Sequence, residues 1–391
     1  LSDAPLPAWV FEGPVAERGG VHQPQGSWSP TSGTFVPRAD HPAYRRQLFR
    51  PSVAGEQAPD PATAGATVFE DESIRLWTLP ERGIEDVLIA TIRTKMHAIG
   101  PGVIAGLMKG VELAERDFRG LVVWSSEDPF SVGADLQAML PVFMSGGVKA
   151  IEAEEKKLQE AMLRLRYAQV PTVAAVSGMA LGGGCELALY CARRVASIES
   201  YIGLVEVGVG LVPGAGGLTY GARRAAEERE AGPDAALLDF LKKYVTAAGS
   251  AQVSRSALEA RATGWLLASD PVVFNRHELL YVAVQEARAM AEAGWGPPRR
   301  AAFPAAGRDA AATIAAQLVN LRDGGFITAY DFHLGRTIAE VMCGGDVEPG
   351  SPVDEEWIMA LERKAFVSLL TNPKTQERIM GMMQTGKPVR N

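Results

Sequence analysis

The sequence of 391 residues predicts an α/β fold with a mostly parallel sheet, followed by a helical region. Up to about residue 180, short β-rich runs alternate with segments whose apolar residues recur at three- and four-residue steps. Such alternation is typical of βαβ units with covered sheet faces. We therefore expect three parts: a Pro-rich linker or arm over 1–65, an α/β core over 66–270 and a helical C-terminal region over 271–391.

The first 65 residues hold 10 of the 25 prolines and show no sustained helical or strand period. Proline removes backbone donors and fixes φ, so this stretch reads either as an extended linker or as an arm on the surface of its own domain. The chain begins at Leu1, and its opening lacks the basic start and apolar run of a signal peptide. We expect a processed chain or a piece of a longer polypeptide.

The core begins near Thr67 and consists of four clear strands and two helices. Strands are predicted over 73–79, 87–92, 121–125 and 171–176, and helices over 102–116 and 154–167. The remaining chain is predicted to be helical, with Gly- or Pro-containing breaks and no convincing strand after about residue 220. These helices cover 234–245, 255–268, 271–293, 308–321, 326–342, 354–370 and 373–384.

Composition excludes several classes of protein. Hydrophobic residues make up 47% and charged residues 22%, which is enough to bury a core. Lys+Arg 39 against Asp+Glu 46 leaves no basic excess, so we expect no nucleic-acid partner. No apolar run reaches the ~18 residues of a membrane span. Three cysteines and five histidines argue against a disulfide scaffold and a zinc module, so we predict no metal site and a cytoplasmic location.

The first segment that could carry chemistry is FSVGAD (130–135), which follows a predicted strand. Gly133 permits a tight turn, and Asp135 can cap the next helix. A strand end that opens onto a helix presents free N–H groups to an incoming oxygen, here near Val132 and Gly133. Taken alone, this segment is better explained as a purely structural strand-to-helix turn.

The second segment is ALGGGCELA (180–188). Three consecutive glycines cost backbone entropy, so something needs their φ freedom or their missing side chains. They would let a ligand approach the backbone at a helix N-terminus, with Glu186 in the first turn. A surface glutamate that complements the helix dipole is the alternative, although the apolar neighbours, among them a small buried Cys185, favour burial.

The third segment is IGLVEVGVGLVPGAGG (202–217), in which Glu206 is the only charge. A lone carboxylate there must be paired, hydrogen-bonded or raised in pKa, and a desolvated glutamate can exchange protons near neutral pH. A structural glutamate bonded to loop amides is the alternative. No Lys-Ser/Thr follows 214–217, so a Walker loop is excluded, and no GxGxxG follows a strand, which argues against NAD binding here.

Together the segments supply two amide-rich turns and two carboxylates twenty positions apart. Two N–H donors can bind a developing enolate oxygen, each contributing roughly 10²–10³ in rate. One carboxylate can activate a water while the other handles the α-proton of a thioester. Neither a metal nor a nucleotide is required for this chemistry.

At these residues the sequence resembles the crotonase, or enoyl-CoA hydratase/isomerase, superfamily over about residues 66–270. The resemblance implies a crotonase-like fold of repeated ββα units and an oxyanion hole made by the N–H groups of Val132 and Gly183. It implies Glu186 as the glutamate that orients water and Glu206 as the acid/base at the α-carbon. It also implies an acyl-CoA substrate bound through four further residues: His97, Ala134, Asp135 and Gly182.

Two departures from the family pattern are present. The usual AsnArgPro…AsnAla is replaced by IRTKMHAIG (92–100), and the usual Pro before the second glutamate is Val205. His97 in the replaced segment either contacts CoA phosphates or ribose or is a surface-turn histidine. Residues 136–144 either line an acyl tunnel or form an ordinary core helix, since methionine adapts to irregular apolar shapes.

Because both glutamates are present, the resemblance favours a hydratase of 2-enoyl-CoA in fatty-acid β-oxidation. A Δ3–Δ2 enoyl-CoA isomerase, which Glu206 alone could support, is the first alternative. A non-catalytic acyl-CoA-binding or scaffold domain and an NAD-dependent dehydrogenase are the others.

The C-terminal end resembles that of bacterial multifunctional fatty-acid oxidation proteins. This implies a parent chain that also carries a 3-hydroxyacyl-CoA dehydrogenase, with NAD bound only if such an upstream domain exists. The family also implies a homo-oligomer.

Overall fold

The computed structural model describes residues 5–38, 41–50, 59–232 and 235–391. The chain forms two compact units, Leu1–Gly65 and Ala66–Asn391. All three segments singled out in the sequence lie in the larger unit.

The smaller unit contains a three-stranded antiparallel sheet. Its elements are α1 (Pro14–Glu17), β1 (His22–Gln23), β2 (Gly26–Ser29), β3 (Thr34–Val36) and α2 (Pro42–Arg46). Trp28 and Phe35 are direct cross-strand partners whose rings meet edge to face at 5.4 Å, a pairing that stabilises sheets. The sequence predicted only a Pro-rich linker or arm here, because strands of two to four residues are too short to show a period.

The larger unit is built on a seven-stranded sheet with the order β10-β9-β8-β7-β6-β5-β4. The strands are β4 (Ala66–Glu70), β5 (Ile74–Leu79), β6 (Ile84–Ile92), β7 (Leu121–Trp124), β8 (Thr172–Leu181), β9 (Arg193–Gly203) and β10 (Val272–Val273). The first three strands pair antiparallel, and every pair from β6 to β10 is parallel. The mostly parallel sheet is thus confirmed. β7 is buried at every position, as strands with both faces covered should be.

Strand β9 was not predicted, because its charged residues hide the apolar pattern. Arg194 is nevertheless buried, since its guanidinium pairs with the equally buried Asp270 at 2.6 Å. A buried charge of this kind is tolerated only with such a partner.

Eleven helices of the described larger unit surround and extend the sheet. They are α3 (Pro101–Asp117), α4 (Leu136–Arg166), α5 (Gly183–Tyr190), α6 (Gly217–Ala231), α7 (Leu237–Gly249), α8 (Ala257–Thr263), α9 (Leu279–Glu292), α10 (Gly307–Asp323), α11 (Ala329–Met342), α12 (Glu355–Leu370) and α13 (Pro373–Thr385). Helix α4 starts well before the predicted 154–167 segment and is interrupted at Gly147, where φ is 60°. The predicted helices after residue 234 are all present, with shorter bounds for α8 and α9.

The expectation that no strand follows residue 220 was wrong. β10 joins the main sheet beside β9, and β11 (Phe303–Pro304) pairs with β12 (Pro352–Val353). Helix α9 packs on β8 and β9, so residues just beyond 270 still belong to the sheet layer. Two-residue strands have no period of their own, and only tertiary pairing identifies them.

The C-terminal helices fold back onto the α/β core. Helix α12 packs against α4 and α6, and α11 packs against α6 and α7. Helix α13 contacts a short 3₁₀ turn, Glu206–Val209. The helical region therefore covers the face of the core that carries the third segment.

Candidate active site

The segment 130–135 lies between β8 and residues 97–99 and is hydrogen-bonded to both. Ser131 N donates to Met179 O at 3.1 Å, and Ile99 N donates to Gly133 O at 2.7 Å. Two parallel bridges, Ser131 to Ala180 and Ile99 to Ala134, result from these bonds. The segment is thereby held directly beside the glycine triplet that follows β8.

At this crossing, three glycines are required either by the backbone conformation or by a lack of space for a side chain. Gly133 has φ +93°, and a Cβ on it would lie 2.7 Å from Leu181 O. A Cβ on Gly184 would lie 2.5 Å from Ser131 O, and Gly182 has φ +53°. Side chains at these positions would force the two segments apart. Because these positions have no side chains, the two backbone turns can approach each other closely. This close approach explains why glycines are present despite their entropy cost.

The two predicted oxyanion donors differ in their present bonding. Gly183 N is the first amide of α5, and no acceptor for it lies among the described residues. Val132 N donates to Met96 O at 3.3 Å. Met96 and His97 both have positive φ, 56° and 53°, which is unusual for residues with a side chain. A ligand oxygen at Val132 N would have to replace this long bond.

Glu186 lies in the first turn of α5 and is 2% exposed. Its Oε1 accepts hydrogen bonds from Gly217 N at 2.7 Å and Ala215 N at 2.9 Å. Burial raises the pKa of this carboxyl to about 7, although the two amides favour its charged form. The group can therefore exchange a proton near neutral pH.

Glu206 begins the 3₁₀ turn that follows β9. Its Oε2 is shielded from solvent and has no hydrogen-bond partner in the described part of the chain. The other oxygen faces Gly182, where a Cβ would lie 3.0 Å from Oε1. Burial raises the pKa of Glu206 well above its usual value, and the negative charge of Glu186 raises it further. The structure thus brings Glu206 to the backbone of the glycine triplet.

The other predicted binding residues surround this crossing. Asp135 caps α4, since its Oδ1 accepts from Gln137 N and Ala138 N at 3.0 Å each. His97 is half-buried and donates from Nδ1 to Pro129 O at 2.5 Å, while Ala134 is exposed. Their contact with a substrate, like that of Gly182, stays a prediction.

Sequence reasoning missed two further buried carboxyls, Glu155 on α4 and Glu362 on α12. A Cβ on Gly214 would lie 2.8 Å from Glu155 Oε2, and Glu362 bonds the next residues of the same loop. Burial raises the pKa of each to about 8, and the charge of Glu186 adds to both shifts. Glu362 lies on the apolar stripe of α12 with Ile358 and Phe366, a signal that could have identified it.

An apolar cavity of about 320 Å³ opens between α4, the third segment and α13. Its lining residues are Leu136, Met139, Phe143, Met144, Ile151, Leu211, Leu370, Gln376, Ile379, Met380 and Met383. Four of the residues 136–144 therefore line this cavity on its α4 side. The sides formed by the third segment and α13 were not predicted.

Two kinds of feature are absent from the described residues. No helix there is long and apolar enough to cross a membrane. No group of three or more His, Cys, Asp or Glu side chains in the same residues could hold a metal ion.

Comparison with known proteins shows a family match over part of the chain. The model of the enoyl-CoA hydratase/isomerase family matches residues 85–232, which include both glutamates and both predicted oxyanion donors. Residues 85–232 therefore form a crotonase-family domain. Two solved structures share the fold: an enoyl-CoA hydratase from Bacillus halodurans and an enoyl-CoA hydratase/isomerase from Xanthobacter autotrophicus Py2. The first is 16% identical with a TM-score of 0.52 and covers 79% of this chain and 99% of its own.

The Xanthobacter structure is 19% identical with a TM-score of 0.51 and covers 81% of this chain and 95% of its own. The relative named "Probable 3-hydroxyacyl-CoA dehydrogenase" of Bacillus subtilis (strain 168) is 36% identical over 311 residues, 78% of this chain. A "Fatty acid oxidation complex subunit alpha" of Idiomarina loihiensis is 40% identical over 131 residues, 32% of this chain and 18% of its own. The chain spans only 38% of the length of the Bacillus subtilis relative.

Proposed function

We propose that this chain hydrates 2-enoyl-CoA thioesters in fatty-acid β-oxidation. One observation carries the proposal: two buried glutamates lie close enough for the negative charge of Glu186 to raise the pKa of Glu206. Like charges in one buried site do not ionise together, so one carboxyl can be ionised while the other is protonated. Two backbone amides favour ionised Glu186, which suits a base, whereas Glu206 Oε2 has no hydrogen-bond partner among the described residues, which suits an acid.

The thioester oxygen is bound by Gly183 N and Val132 N in this proposal. Gly183 N at the start of α5 adds the partial positive charge of a helix N-terminus. Val132 N exchanges its 3.3 Å bond to Met96 O for the thioester oxygen. Negative charge that develops on this oxygen is then stabilised more strongly than the ground-state carbonyl.

The proton steps balance across the two carboxyls. Ionised Glu186 accepts a proton from water as the water oxygen bonds to the β-carbon. Protonated Glu206 donates its proton to the α-carbon as the enolate collapses to the 3-hydroxyacyl thioester. Exchange with solvent returns each carboxyl to its starting state. The sum is the addition of one water to one double bond, with no change in redox state.

The apolar cavity between α4 and α13 receives the acyl chain. Leu211 lines this cavity and lies five residues after Glu206. The third segment therefore extends from the proposed acid/base carboxyl to the apolar cavity that receives the acyl chain. Flexible methionines contribute much of the lining and adapt to chains of different shape. We further propose that His97, Ala134, Asp135 and Gly182 contact the CoA thioester, and that the chain acts as a homo-oligomer.

The name of the Bacillus subtilis relative suggests that a longer parent chain also carries a 3-hydroxyacyl-CoA dehydrogenase. Such a partner activity would oxidise the hydration product. NAD would then bind outside the residues printed here.

The test follows the absorbance of the conjugated enoyl group of crotonyl-CoA. We expect wild type to remove this signal, with a rate that rises as the pH passes about 7 because Glu186 must be ionised. Glu186→Gln and Glu206→Gln should each lower kcat by about 10²–10⁴-fold, the usual contribution of a general acid or base. Glu292→Gln, at an exposed glutamate on α9, is the matched control and should leave kcat unchanged.

Unchanged absorbance with wild type would contradict the hydratase proposal. Conversion of a 3-enoyl-CoA that depends on Glu206 but not on Glu186 would instead support the isomerase. Binding of crotonyl-CoA without turnover of either substrate would support a non-catalytic acyl-CoA-binding domain.

A further inference from the structure

Glu362, on the C-terminal helix α12, is completely buried and bonds the backbone at the end of the third segment and in the first turn of α6. Its Oε1 accepts from Gly216 N at 3.1 Å and Leu218 N at 3.2 Å. Its Oε2 accepts from Thr219 N at 3.3 Å and Thr219 Oγ1 at 2.7 Å. Four donors to one carboxyl, at the N-terminus of α6, form a site shaped for an anion.

The same stretch of backbone also holds Glu186. Ala215 N and Gly217 N donate to Glu186, whereas Gly216 N and Leu218 N donate to Glu362. Successive amides therefore point alternately to the two carboxyls. If the bonds to Glu362 are lost, the amides that hold Glu186 lose their fixed geometry.

The groups around this pair are mostly acidic. Glu155 faces it from α4 and Glu206 from the 3₁₀ turn, while the Tyr190 hydroxyl on α5 donates to Gly216 O at 3.0 Å. Arg363, the next residue of α12, donates to Gln159, and Arg378 of α13 donates to Val207 O beside Glu206. The buried Cys185 of α5 also faces Glu206. None of the ion pairs in the described ranges includes Glu362.

We infer that Glu362 is a positioning residue: its carboxyl orders the 215–219 amides that hold Glu186, and once ionised it disfavours loss of the proton from Glu206. This inference rests on the hydratase proposed above. Like charges close together in a buried site cannot all ionise, so each anion disfavours the next ionisation. Burial and the charge of Glu186 are the larger causes of the raised pKa of Glu206, and Glu362 adds to them.

Glu362→Gln removes the charge and keeps the side-chain shape. We expect the alkaline limb of the kcat profile, where Glu206 loses its proton, to move down by about one pH unit. The ratio of variant to wild-type kcat should therefore fall by up to about tenfold between pH 7.5 and pH 9.5. A purely structural contribution would lower kcat by the same factor at every pH.

Two further variants separate charge from geometry. Glu362→Asp keeps the charge but shortens the reach to the amides, so kcat should fall at all pH values while the alkaline limb stays in place. Glu356→Gln changes an exposed glutamate on the same helix and should alter neither quantity. If Glu362→Gln does not fold, Thr219→Val removes the hydroxyl that favours charged Glu362. It should shift the limb in the same direction by a smaller amount.

A titration that does not depend on activity distinguishes this inference from the proposed function. Carbon-13 NMR of protein labelled at the glutamate carboxyl follows Glu206, which is assigned by loss of its signal in Glu206→Gln. We expect Glu206 to titrate at lower pH in Glu362→Gln than in wild type, even if no enoyl-CoA is turned over. An unchanged Glu206 titration together with an unchanged alkaline limb would overturn the inference.

Discussion

Gly182 shows how closely backbone and carboxyl approach each other in this site. Its φ of +53° lies in the left-handed region, and a Cβ would stand 3.0 Å from Glu206 Oε1. Both facts follow from its position at the N-cap of α5, where the chain must turn sharply from β8 into the helix. The same residue therefore sets the local backbone conformation and leaves the space that the Glu206 carboxyl occupies.

We predict that Gly182→Ala destabilises the fold by about 1–3 kcal/mol, because alanine is strained at this φ. It should also lower kcat on crotonyl-CoA, since the methyl group displaces the Glu206 carboxyl. Urea unfolding and initial rates measure the two effects. Gly249→Ala is the control: nothing lies within 4 Å of its Cβ and its φ is not positive. A Gly182→Ala protein as stable and active as wild type would contradict this account.

Helix α13 contributes Arg378, which connects the tail to the turn that contains Glu206. Arg378 is 1% exposed, and it donates to Val207 O and to Asp331 Oδ1, both at 2.9 Å. The Thr328 amide and the Arg378 guanidinium hold the pKa of Asp331 below its usual value, against the opposing effect of burial. The position of the residue next to Glu206 thus depends on a helix more than 160 residues later in the chain.

Breaking this pair should be costly. Among the described residues, Arg378→Met leaves the buried Asp331 with one cationic partner, the exposed Arg390. We therefore expect a loss of about 3–5 kcal/mol in the free energy of unfolding. The shifted 3₁₀ turn should also lower kcat by roughly 10–100-fold. Arg336→Met breaks an exposed pair with Glu340 on α11 and should cost only about 0.3–0.5 kcal/mol. Equal losses for the two variants in chemical denaturation would refute the buried-pair argument.

At the scale of the molecule, the chain divides after Gly65, and every site residue lies in the larger unit. The tail of that unit is part of the site: α12 supplies Glu362, and α13 supplies Arg378 and one wall of the apolar cavity. The N-terminal unit contributes none of these groups.

Two deletions test this division. Removal of residues 1–65 should leave kcat and the thermal midpoint of the larger unit unchanged. Removal of residues 371–391 should lower stability by about 3 kcal/mol or more, because Asp331 loses its buried partner, and should abolish hydration. Calorimetry and the crotonyl-CoA assay measure both outcomes. Full activity without α13 would show that the tail only covers the core.

The sequence by itself determined the α/β core, most of its strands, and the local chemistry of the glycine triplet, Glu186 and Glu206. These features are encoded within short segments, because strand period, helix period and the need for glycine at positive φ depend on near neighbours. The same locality accounts for the tight turn at Gly133 and the helix cap at Asp135, which depend only on their own segment.

Only the tertiary structure decided which other groups share the site. Glu155 lies at the start of the predicted helix 154–167, and it is buried because α12 and the 214–217 loop cover it. Glu362 bonds Gly216 across 146 residues, and Val132 N meets Met96 O from another segment. The physical reason is that burial and the raised pKa values depend on which elements pack together, and residues distant in the chain decide that packing.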